Sequence, residues 1–496
     1  MDTLLNDIIV EDVFPYEFVR ENEVIASFQN KRYLVISPNL ISKDLYQEIT
    51  RFLKEDFIFK QCDRSFFNDL LTNFFSSNNS LSEELSDEFD LQDFAGTINA
   101  TEDLLSGTND APIIKLINGI ISQAIKKRAS DIHFEPYEEK ILVRYRIDGI
   151  LTEVLEHDSK LASLLISRIK IISGLDISER RLPQDGRVSL SLGDNEVDVR
   201  VSTLPSSYGE RIVLRILDKK SSQINIDELG LPKSILENYK KSLKNSEGII
   251  LFTGPTGSGK TTTLYSGLRY LSDSSQNILT VEDPIEYTLN GIGQTQVNTK
   301  TGLTFARGLR AILRQDPDVV MIGEMRDIET AQIGIQASLT GHLVLSTVHT
   351  NSAVSAITRL KDMGIESFLL ASSLRTIISQ RLIRRLCNSC KSNSKISHDL
   401  CGKYGLDSSK KYYVSEGCGI CNNTGYHGRI AIAECIQIDK KLKDLIHNNE
   451  SENVISDYVF GKNISIKKAS VNLVTEGITS IEEVIRITNL EEDASI

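Results

Sequence analysis

The stretch that decides the fold is Ile249–Leu271, IILFTGPTGSGKTTTLYSGLRYL. It opens with a continuous apolar run, which is typical of a buried strand. The next residues match the pattern G-x-x-x-x-G-K-[ST], and from Thr262 onward the chain can continue as a helix. Strand, glycine-rich loop and helix occur in the order that a phosphate-binding loop requires. A glycine turn with an incidental lysine is therefore a poor explanation of this segment.

The residue types of this loop suit an anionic ligand. Glycines allow a tight turn whose backbone N–H groups face phosphate oxygens, and the helix presents its positive dipole end to the same anion. Lys260 is expected to reach the β- and γ-phosphates, and the hydroxyl of Thr261 is expected to bind Mg²⁺. The predicted ATP-binding residues of this segment are Gly254, Pro255, Thr256, Gly257, Ser258, Gly259, Lys260, Thr261 and Thr262.

Apolar runs alternate with helical patterns on the carboxyl side of this loop. Strands are predicted at 249–252, 278–281, 319–322 and 343–346. Continuous apolar strands with intervening helices predict a buried parallel sheet covered by helices on both faces.

Polar residues at strand ends are the catalytic candidates, because ligands bind at the carboxyl ends of strands in such sheets. Glu324 follows Gly323, which stands where many phosphate-loop enzymes carry an Asp beside the metal. Glu324 is the candidate that orients or deprotonates the attacking water. Glu282 and Asp283 are candidates for holding Mg²⁺ or water, with helix capping or pairing with arginines as the alternative.

Two histidines, His342 and His349, flank the strand predicted at 343–346. A lone histidine is usually structural, but two in polar turns at the ends of a core strand favour at least one near the γ-phosphate. Sensing of bound nucleotide is the expected role, ahead of direct proton transfer.

Charge is unevenly distributed along the 496 residues, whose net charge is −12. Residues 1–110 carry 22 acidic and 8 basic side chains, so the remainder is nearly neutral. The overall basic bias typical of a nucleic-acid binder is absent, and we expect no nucleic-acid partner. No run approaches the roughly 20 apolar residues of a membrane-spanning helix, and the acidic start does not resemble a secretory signal. A cytoplasmic location is expected.

The segment 76–110 is rich in Ser, Asn, Asp and Glu, and residues 65–110 contain no Lys or Arg. Such a composition predicts a flexible, solvated linker that follows a small N-terminal unit. Order is expected to resume with a helix over 113–125, and then with strands at 141–147 and 196–201.

Seven cysteines include two close-spaced pairs, Cys387 with Cys390 and Cys418 with Cys421. Four thiolates on two short turns suit a tetrahedral Zn²⁺ site, and a closed four-cysteine site is structural because no position remains for water. Redox-active pairs are the alternative, although neither pair has a thioredoxin-like context.

The ordered motifs of this chain resemble those of the secretion traffic ATPases, specifically the type II secretion motor known as general secretion pathway protein E. The similarity covers about 380 residues from 110 onward. It is carried by the segments ASDIHFEP (129–136), RRLPQDGR (180–187), VSTLP (201–205), GER (209–211), GEMRD (323–327) and GITS (477–480), together with the phosphate-binding loop, Glu282-Asp283, the histidines and the four cysteines.

The resemblance implies an α/β fold in which a PAS-like α+β middle domain precedes a RecA-like motor domain with a tetracysteine zinc insert. It implies a ring of six subunits and nucleotide bound between the two domains. It also implies arginines around the phosphates, for which the matching positions are Arg200, Arg215, Arg310 and Arg314. An ion pair elsewhere remains the alternative for each arginine.

The resemblance further implies partners at the inner membrane. The segment Phe14–Val19 resembles a small N-terminal domain that docks on the cytoplasmic part of an inner-membrane platform protein, and a polytopic platform protein is a second partner. The resulting domain boundaries are 1–75 for the docking domain, 76–110 for the acidic linker, 111–225 for the middle domain, 226–384 for the ATPase domain, 385–425 for the zinc insert and 426–496 for a helical C-terminal region.

Rival functions share parts of this pattern. The type IV pilus assembly ATPase has the same fold and chemistry, but the segment 196–219, the segment 361–370 and the short N-terminal region favour secretion. The pilus retraction motor lacks the N-terminal domain and the cysteine pairs. A RecA-like nucleic-acid translocase would show a basic channel. The presence of Lys260, Thr261 and Glu324 argues against a catalytically inactive scaffold.

Overall fold

The computed structural model describes residues 10–11, 14, 18, 22–29, 32–53, 56–64, 67, 91–96, 111–192, 195–217, 224–272 and 275–492. The chain divides into two compact units, of which the second runs mainly from Arg215 to the C-terminus. Within the described ranges, no helix is both long and apolar enough to cross a membrane.

The N-terminal region contains a four-stranded sheet in the order β1-β2-β3-β4. Strands β2 and β3 form an antiparallel hairpin, and β3 pairs in parallel with β4 after one helical crossover. The apolar face of that helix, with Ile49 and Leu53, is buried with Val35 and Ile36 of the sheet. The elements are β1 (Val10–Glu11), β2 (Ile25–Gln29), β3 (Arg32–Ser37), α1 (Lys43–Leu53) and β4 (Phe57–Gln61).

A short helix, α2 (Leu91–Gly96), lies within the segment predicted as a linker. Leu91 and Ala95 are buried. The side-chain amide of Gln92 donates to the carbonyl oxygen of Glu156 at 2.6 Å and accepts from its N–H at 3.3 Å. This part of the segment is therefore folded, because it buries apolar side chains and satisfies a backbone unit of a strand. The rest of 76–110 lies outside the described residues.

The middle region is an α+β unit with a six-stranded sheet in the order β7-β6-β5-β10-β9-β8. The predicted helix and both predicted strands are present; the helix and the first strand are slightly longer than expected, and the second strand, at 12 residues, is twice as long. Alternate residues of β6, including Ile141 and Val143, are fully buried, as a half-buried strand requires. The elements are α3 (Ala111–Lys126), β5 (Ala129–Pro136), β6 (Lys140–Ile147), β7 (Ile150–Asp158), α4 (Lys160–Ile172), β8 (Gln184–Leu192), β9 (Asn195–Ser206) and β10 (Gly209–Leu217).

A seven-stranded sheet forms the core of the second unit. The four strands predicted from apolar runs are present as β11, β12, β14 and β15. The elements up to the last parallel strand are α5 (Lys233–Leu243), β11 (Gly248–Thr253), α6 (Lys260–Leu271), β12 (Ile278–Glu282), β13 (Gly293–Gln296), α7 (Phe305–Ile312), β14 (Val319–Ile322), α8 (Ile328–Leu339), β15 (Leu343–Val348), α9 (Ala353–Asp362), α10 (Ser367–Ser373) and β16 (Leu374–Leu386).

Helices cover both faces of this sheet, as predicted. Leu251 belongs to one buried apolar cluster, while its neighbours Ile250 and Phe252 belong to another. Successive side chains of a strand point to opposite faces, so β11 separates two apolar layers.

The segment after β16 differs from the expected helical C-terminal region. Residues 426–437 form a strand, β19, which pairs antiparallel with β16. The sheet order is β13-β12-β14-β15-β11-β16-β19, with β11 to β16 parallel. The cysteine-bearing insert thus lies between two paired strands of the motor sheet. The remaining elements are β17 (Ser392–Ser394), α11 (His398–Tyr404), β18 (Tyr412–Val414), β19 (Tyr426–Gln437), α12 (Lys440–His447), α13 (Glu452–Phe460), α14 (Ile466–Thr475) and α15 (Ile481–Glu492).

Candidate functional site

The phosphate-binding loop joins the carboxyl end of β11 to the first residue of α6. Gly257 and Gly259 have φ angles of 78° and 87°, in the left-handed region that glycine tolerates without steric cost. The predicted strand, loop and helix are therefore present, and the loop ends at the N-terminus of α6, where the first backbone N–H groups have no intrahelical partner. This arrangement suits a phosphate anion.

Lys260 is buried at the start of α6, with 8% of the residue exposed. Its Nζ donates to the carbonyl oxygen of Gly254 at 2.7 Å and to that of Pro255 at 3.0 Å. Burial lowers the pKa of Lys260 to about 8, while the nearby charge of Glu324 acts in the opposite direction. A phosphate beside the ammonium group would relieve this desolvation cost.

Glu324 lies two residues after the end of β14, and hydrogen bonds hold its neighbours on both sides. The N–H of Gly323 donates to Val281 at 2.8 Å, and the N–H of Met325 donates to Thr347 at 2.9 Å, each to the carbonyl oxygen. The residue is 8% exposed, and its carboxylate contacts the Arg326 guanidinium. Glu324 thus lies in a fixed position on the strand-end side that also carries the phosphate-binding loop.

His349 lies beside Glu324, with its Nε2 3.3 Å from a carboxylate oxygen. Burial and the positive charge of Lys260 lower the pKa of His349, against the opposing effect of Glu324. The imidazole is therefore neutral near pH 7 and can donate or accept a hydrogen bond. The next residue, Thr350, is tied to the end of β11 because its N–H donates to the Thr253 hydroxyl at 3.1 Å.

The structure places His342 at the amino-terminal end of β15, opposite to the strand end that carries the phosphate-binding loop. Leu343 pairs with Gly248 and Val348 pairs with Thr253, so β15 and β11 run side by side in the same direction. At about 3.3 Å per residue, the two ends of β15 lie roughly 20 Å apart. Within one chain, His342 therefore lies away from the phosphate-binding loop, and its Nδ1 is 2.9 Å from the carbonyl oxygen of Ala337.

Glu282 is buried at the end of β12, where three donors occupy its carboxylate. Thr280 donates to it at 2.6 Å and Gln294 at 3.0 Å, and the Tyr265 hydroxyl donates to the other oxygen. These contacts anchor α6 and β13 to β12, which gives Glu282 a structural task that the sequence did not indicate. Its neighbour Asp283 is exposed.

Two of the four candidate arginines lie on strands of the middle region, and the other two lie on or just after α7. Arg200 and Arg215 belong to β9 and β10, and Arg215 Nε donates to Asp131 at 2.9 Å. Arg310, on α7, forms an ion pair with Glu329 at 2.7 Å, and both side chains are half exposed. Arg314 follows α7 and is exposed, with Nη1 2.7 Å from the carbonyl oxygen of Arg310.

The four predicted cysteine ligands converge at the base of the insert, with all Sγ atoms within 4.8 Å of one another. The Sγ atoms of Cys387 and Cys418 are 3.9 Å apart, and those of Cys390 and Cys421 are 3.8 Å apart. Tetrahedral ligands at the usual Zn–S bond length would be separated by about 3.8 Å. The N–H groups of Gly417, Cys418 and Gly425 donate to these sulfurs, as thiolate ligands favour.

Sequence reasoning missed Tyr265 and Gln380, which support the site from buried positions. Both make their contacts through pairings between distant segments. The sequence offered no motif for either residue.

Taken together, the parallel sheet, the phosphate-binding loop and the strand-end glutamate define a RecA-like P-loop nucleotide-binding motor. The ATPase DotB of Legionella pneumophila has this fold, with a TM-score of 0.56 at 22% identity over 75% of this chain and 95% of that one.

Sequence comparisons identify the family. A family model described as type II/IV secretion system protein matches residues 106–486. The type II secretion system ATPase E of Vibrio cholerae is 49% identical over 487 residues, and the type II secretion system protein E of Pseudomonas aeruginosa is 48% identical over 483 residues. Each alignment covers 96% of this chain and 96% of the relative. The chain therefore belongs to the type II secretion system protein E family.

Proposed function

We propose that this chain hydrolyses ATP at the phosphate-binding loop and uses the free energy to drive pseudopilus assembly in type II secretion, which exports folded proteins across the outer membrane. The observation that carries the proposal is the grouping of buried Lys260, buried Glu324 and His349 at one end of the motor sheet. The assignment to type II secretion, as opposed to another machine driven by a related ATPase, rests on family membership.

In this proposal, each residue near the loop has a task that fits its position. The backbone N–H groups and Lys260 hold the phosphates, and the Thr261 hydroxyl holds Mg²⁺. Glu324 orients the water that attacks the γ-phosphate, and His349 responds to whether that phosphate is present. The arginines would stabilise the developing negative charge, since guanidinium groups stay charged and bind phosphate oxygens in pairs. Arg310 would have to leave Glu329 to do so.

Replacing Lys260 with Ala tests the binding half of this proposal. We expect MgATP to bind about a hundredfold more weakly, because charge-assisted hydrogen bonds to the phosphates are lost. Binding is measured by calorimetry and hydrolysis by phosphate release. Lys244→Ala, at an exposed position after α5, is the matched control and should bind normally. Unchanged nucleotide affinity in the folded Lys260 variant would contradict the proposed site.

We further propose that the four converging cysteines hold one structural Zn²⁺. The sulfur separations fit a tetrahedral site, and four thiolates fill all four of its positions, so none is left for a catalytic water. The pair Cys387–Cys390 directly follows β16, and Cys418–Cys421 lies shortly before β19. A metal there would join the two ends of the insert where it leaves the sheet.

Purified reduced protein should contain about one Zn²⁺ per chain, as a single four-thiolate site requires. Replacing Cys418 with Ser should abolish zinc binding and destabilise the insert, while MgATP affinity persists. Elemental analysis measures the metal, and limited proteolysis reports the state of the insert. Cys401→Ala is the matched control, because Cys401 is buried in the same insert outside the four-sulfur group. Protein without metal after careful reduction would refute the zinc assignment.

The assembly and location are also part of the proposal. By resemblance to the family, six subunits form a ring, and the chain works in the cytoplasm at the inner membrane. There it is held by the cytoplasmic domain of a platform protein and acts on a polytopic platform protein. Five exposed hydrophobic residues among the described part of the N-terminal region support a docking role for residues 1–75. They are Phe28, Leu40, Tyr46, Phe52 and Ile58.

A further inference from the structure

Gln380 is a buried amide beside the phosphate-binding loop. It lies on β16, which runs parallel to β11 with Ser379 paired to Thr253. Gln380 is therefore placed alongside Gly254, where the chain leaves β11 and turns into the loop. The residue is only 3% exposed.

Both ends of the Gln380 side chain are bonded to the nucleotide-binding segment. Its Nε2 donates to the carbonyl oxygen of Ser258 at 3.0 Å, and its Oε1 accepts from the Thr263 hydroxyl at 2.8 Å. A carbonyl oxygen can only accept, so the contact with Ser258 sets the orientation of the amide. One side chain thus connects the loop with the first turn of α6.

The bond to Ser258 orients the peptide unit between Ser258 and Gly259. In a planar trans peptide, the C=O and the following N–H point in opposite directions. With the carbonyl held towards Gln380, the N–H of Gly259 is directed to the other side. An N–H group directed away from β16 is available to a phosphate oxygen, the ligand that backbone N–H groups of such loops bind.

The backbone of the loop also packs tightly against β16. A Cβ atom at Gly254 would lie 2.3 Å from the carbonyl oxygen of Gln380, and one at Gly259 would lie 2.8 Å from its Nε2. Two glycines of the motif are therefore needed for this approach as well as for their φ angles. Next to β16 there is room for glycine at positions 254 and 259, and a larger residue at either position would clash.

We propose that Gln380 is a positioning residue of the nucleotide site, which fixes the Ser258–Gly259 peptide so that the Gly259 N–H faces the bound phosphates. This inference rests on the proposed ATP site and adds a residue to it. Gln380 does not act on the attacking water. The loop holds phosphates that ATP and ADP share. Loss of the amide should therefore weaken the binding of both nucleotides by the same factor and leave the chemical step largely intact.

The test compares Gln380→Met with Ser379→Ala in the full chain. Methionine fills similar volume but has no amide, and we expect the Kd for MgATP and for MgADP to rise by the same factor of about ten, as for loss of one buried hydrogen bond. The KM for ATP should rise in parallel, while kcat stays within about twofold. Ser379 is equally buried, makes no hydrogen bond through its hydroxyl and is the matched control. Its variant should keep both constants.

Two further variants keep the inference testable whatever the stability of the first. Thr263→Val removes only the hydroxyl that holds the amide, and combined with Gln380→Met it should add less than its separate effect, because the two residues act through one contact. Gln380→Asn keeps the amide but is one methylene too short to reach both partners, so it should lower the affinity for MgATP and MgADP. It provides the test if Gln380→Met fails to fold.

The outcomes separate this inference from the proposed function. Unchanged Kd for MgATP in folded Gln380→Met and Gln380→Asn would overturn the positioning role. A fall in kcat at constant KM would assign Gln380 to the chemical step, and a loss of thermal stability alone would show that it only stabilises the sheet; either result overturns the positioning role. If the unsubstituted chain bound no nucleotide, the proposed function would fail, and this inference would fail with it.

Discussion

Glu324→Gln should bind MgATP with nearly normal affinity and hydrolyse it on the order of a hundredfold more slowly or worse, as for loss of a general base. The substitution keeps the size of the side chain and its contacts with Arg326 and His349, but removes the negative charge that orients or deprotonates water. Glu324 lies beyond the end of β14 and outside the phosphate-binding loop, so we expect its charge to affect nucleotide binding much less than hydrolysis. Single-turnover hydrolysis and calorimetric binding measure the two effects separately.

The matched control is Glu247→Gln. Glu247 lies just before β11, at the amino-terminal end of the strand and away from the phosphate-binding loop. There it pairs with Arg375 at 3.2 Å. Removing that charge should leave both binding and hydrolysis unchanged. If Glu324→Gln hydrolysed ATP at the unsubstituted rate, the assignment of Glu324 as the catalytic carboxylate would be wrong.

The parts of the site that were predictable depend on local sequence. The phosphate-binding loop is recognisable in the sequence because its strand, glycines, lysine and helix are contiguous. Each of these parts has a role in binding an anion. The four core strands were predictable from apolar runs for the same reason. Spacing alone also brought the four cysteines together as one group, which the sulfur separations confirm.

The histidines show where local reasoning needs direction as well as spacing. His342 and His349 flank one strand, so they must lie at opposite ends of the strands in a parallel sheet. Only the residue after the carboxyl end can join the phosphate-binding loop. His349 meets this condition and lies 3.3 Å from Glu324, whereas His342 precedes the strand.

Contacts between distant segments could not be predicted from this single sequence. Gln380 and Ser258 are 122 residues apart, and their contact depends on the register between β16 and β11. Strand β19 was missed for a similar reason, because its partner β16 lies on the other side of the cysteine-bearing insert. Glu282 looked like a metal ligand in isolation, but three donors from different elements claim its carboxylate.

Deleting residues 1–75 should abolish recruitment to the membrane platform while ATP hydrolysis and zinc content persist. The described part of this region has its own sheet, helix and buried apolar cluster, so its removal leaves the motor sheet and the four cysteines intact. Exposed apolar side chains on a small unit are typical of a protein interaction site. Binding is measured against the immobilised cytoplasmic domain of the inner-membrane partner.

A single substitution gives a finer version of this experiment. Ile58 lies on the edge strand β4 with 52% of the residue exposed, and Ile58→Glu would place a charge on the proposed docking surface without emptying the core. It should weaken partner binding about tenfold or more, in the manner of a central interface residue, at unchanged thermal stability. The alternative is that residues 1–75 only pack on the ring and stabilise it. In that case the truncated chain would bind the partner with unchanged affinity, and the docking surface would have to lie within residues 76–496.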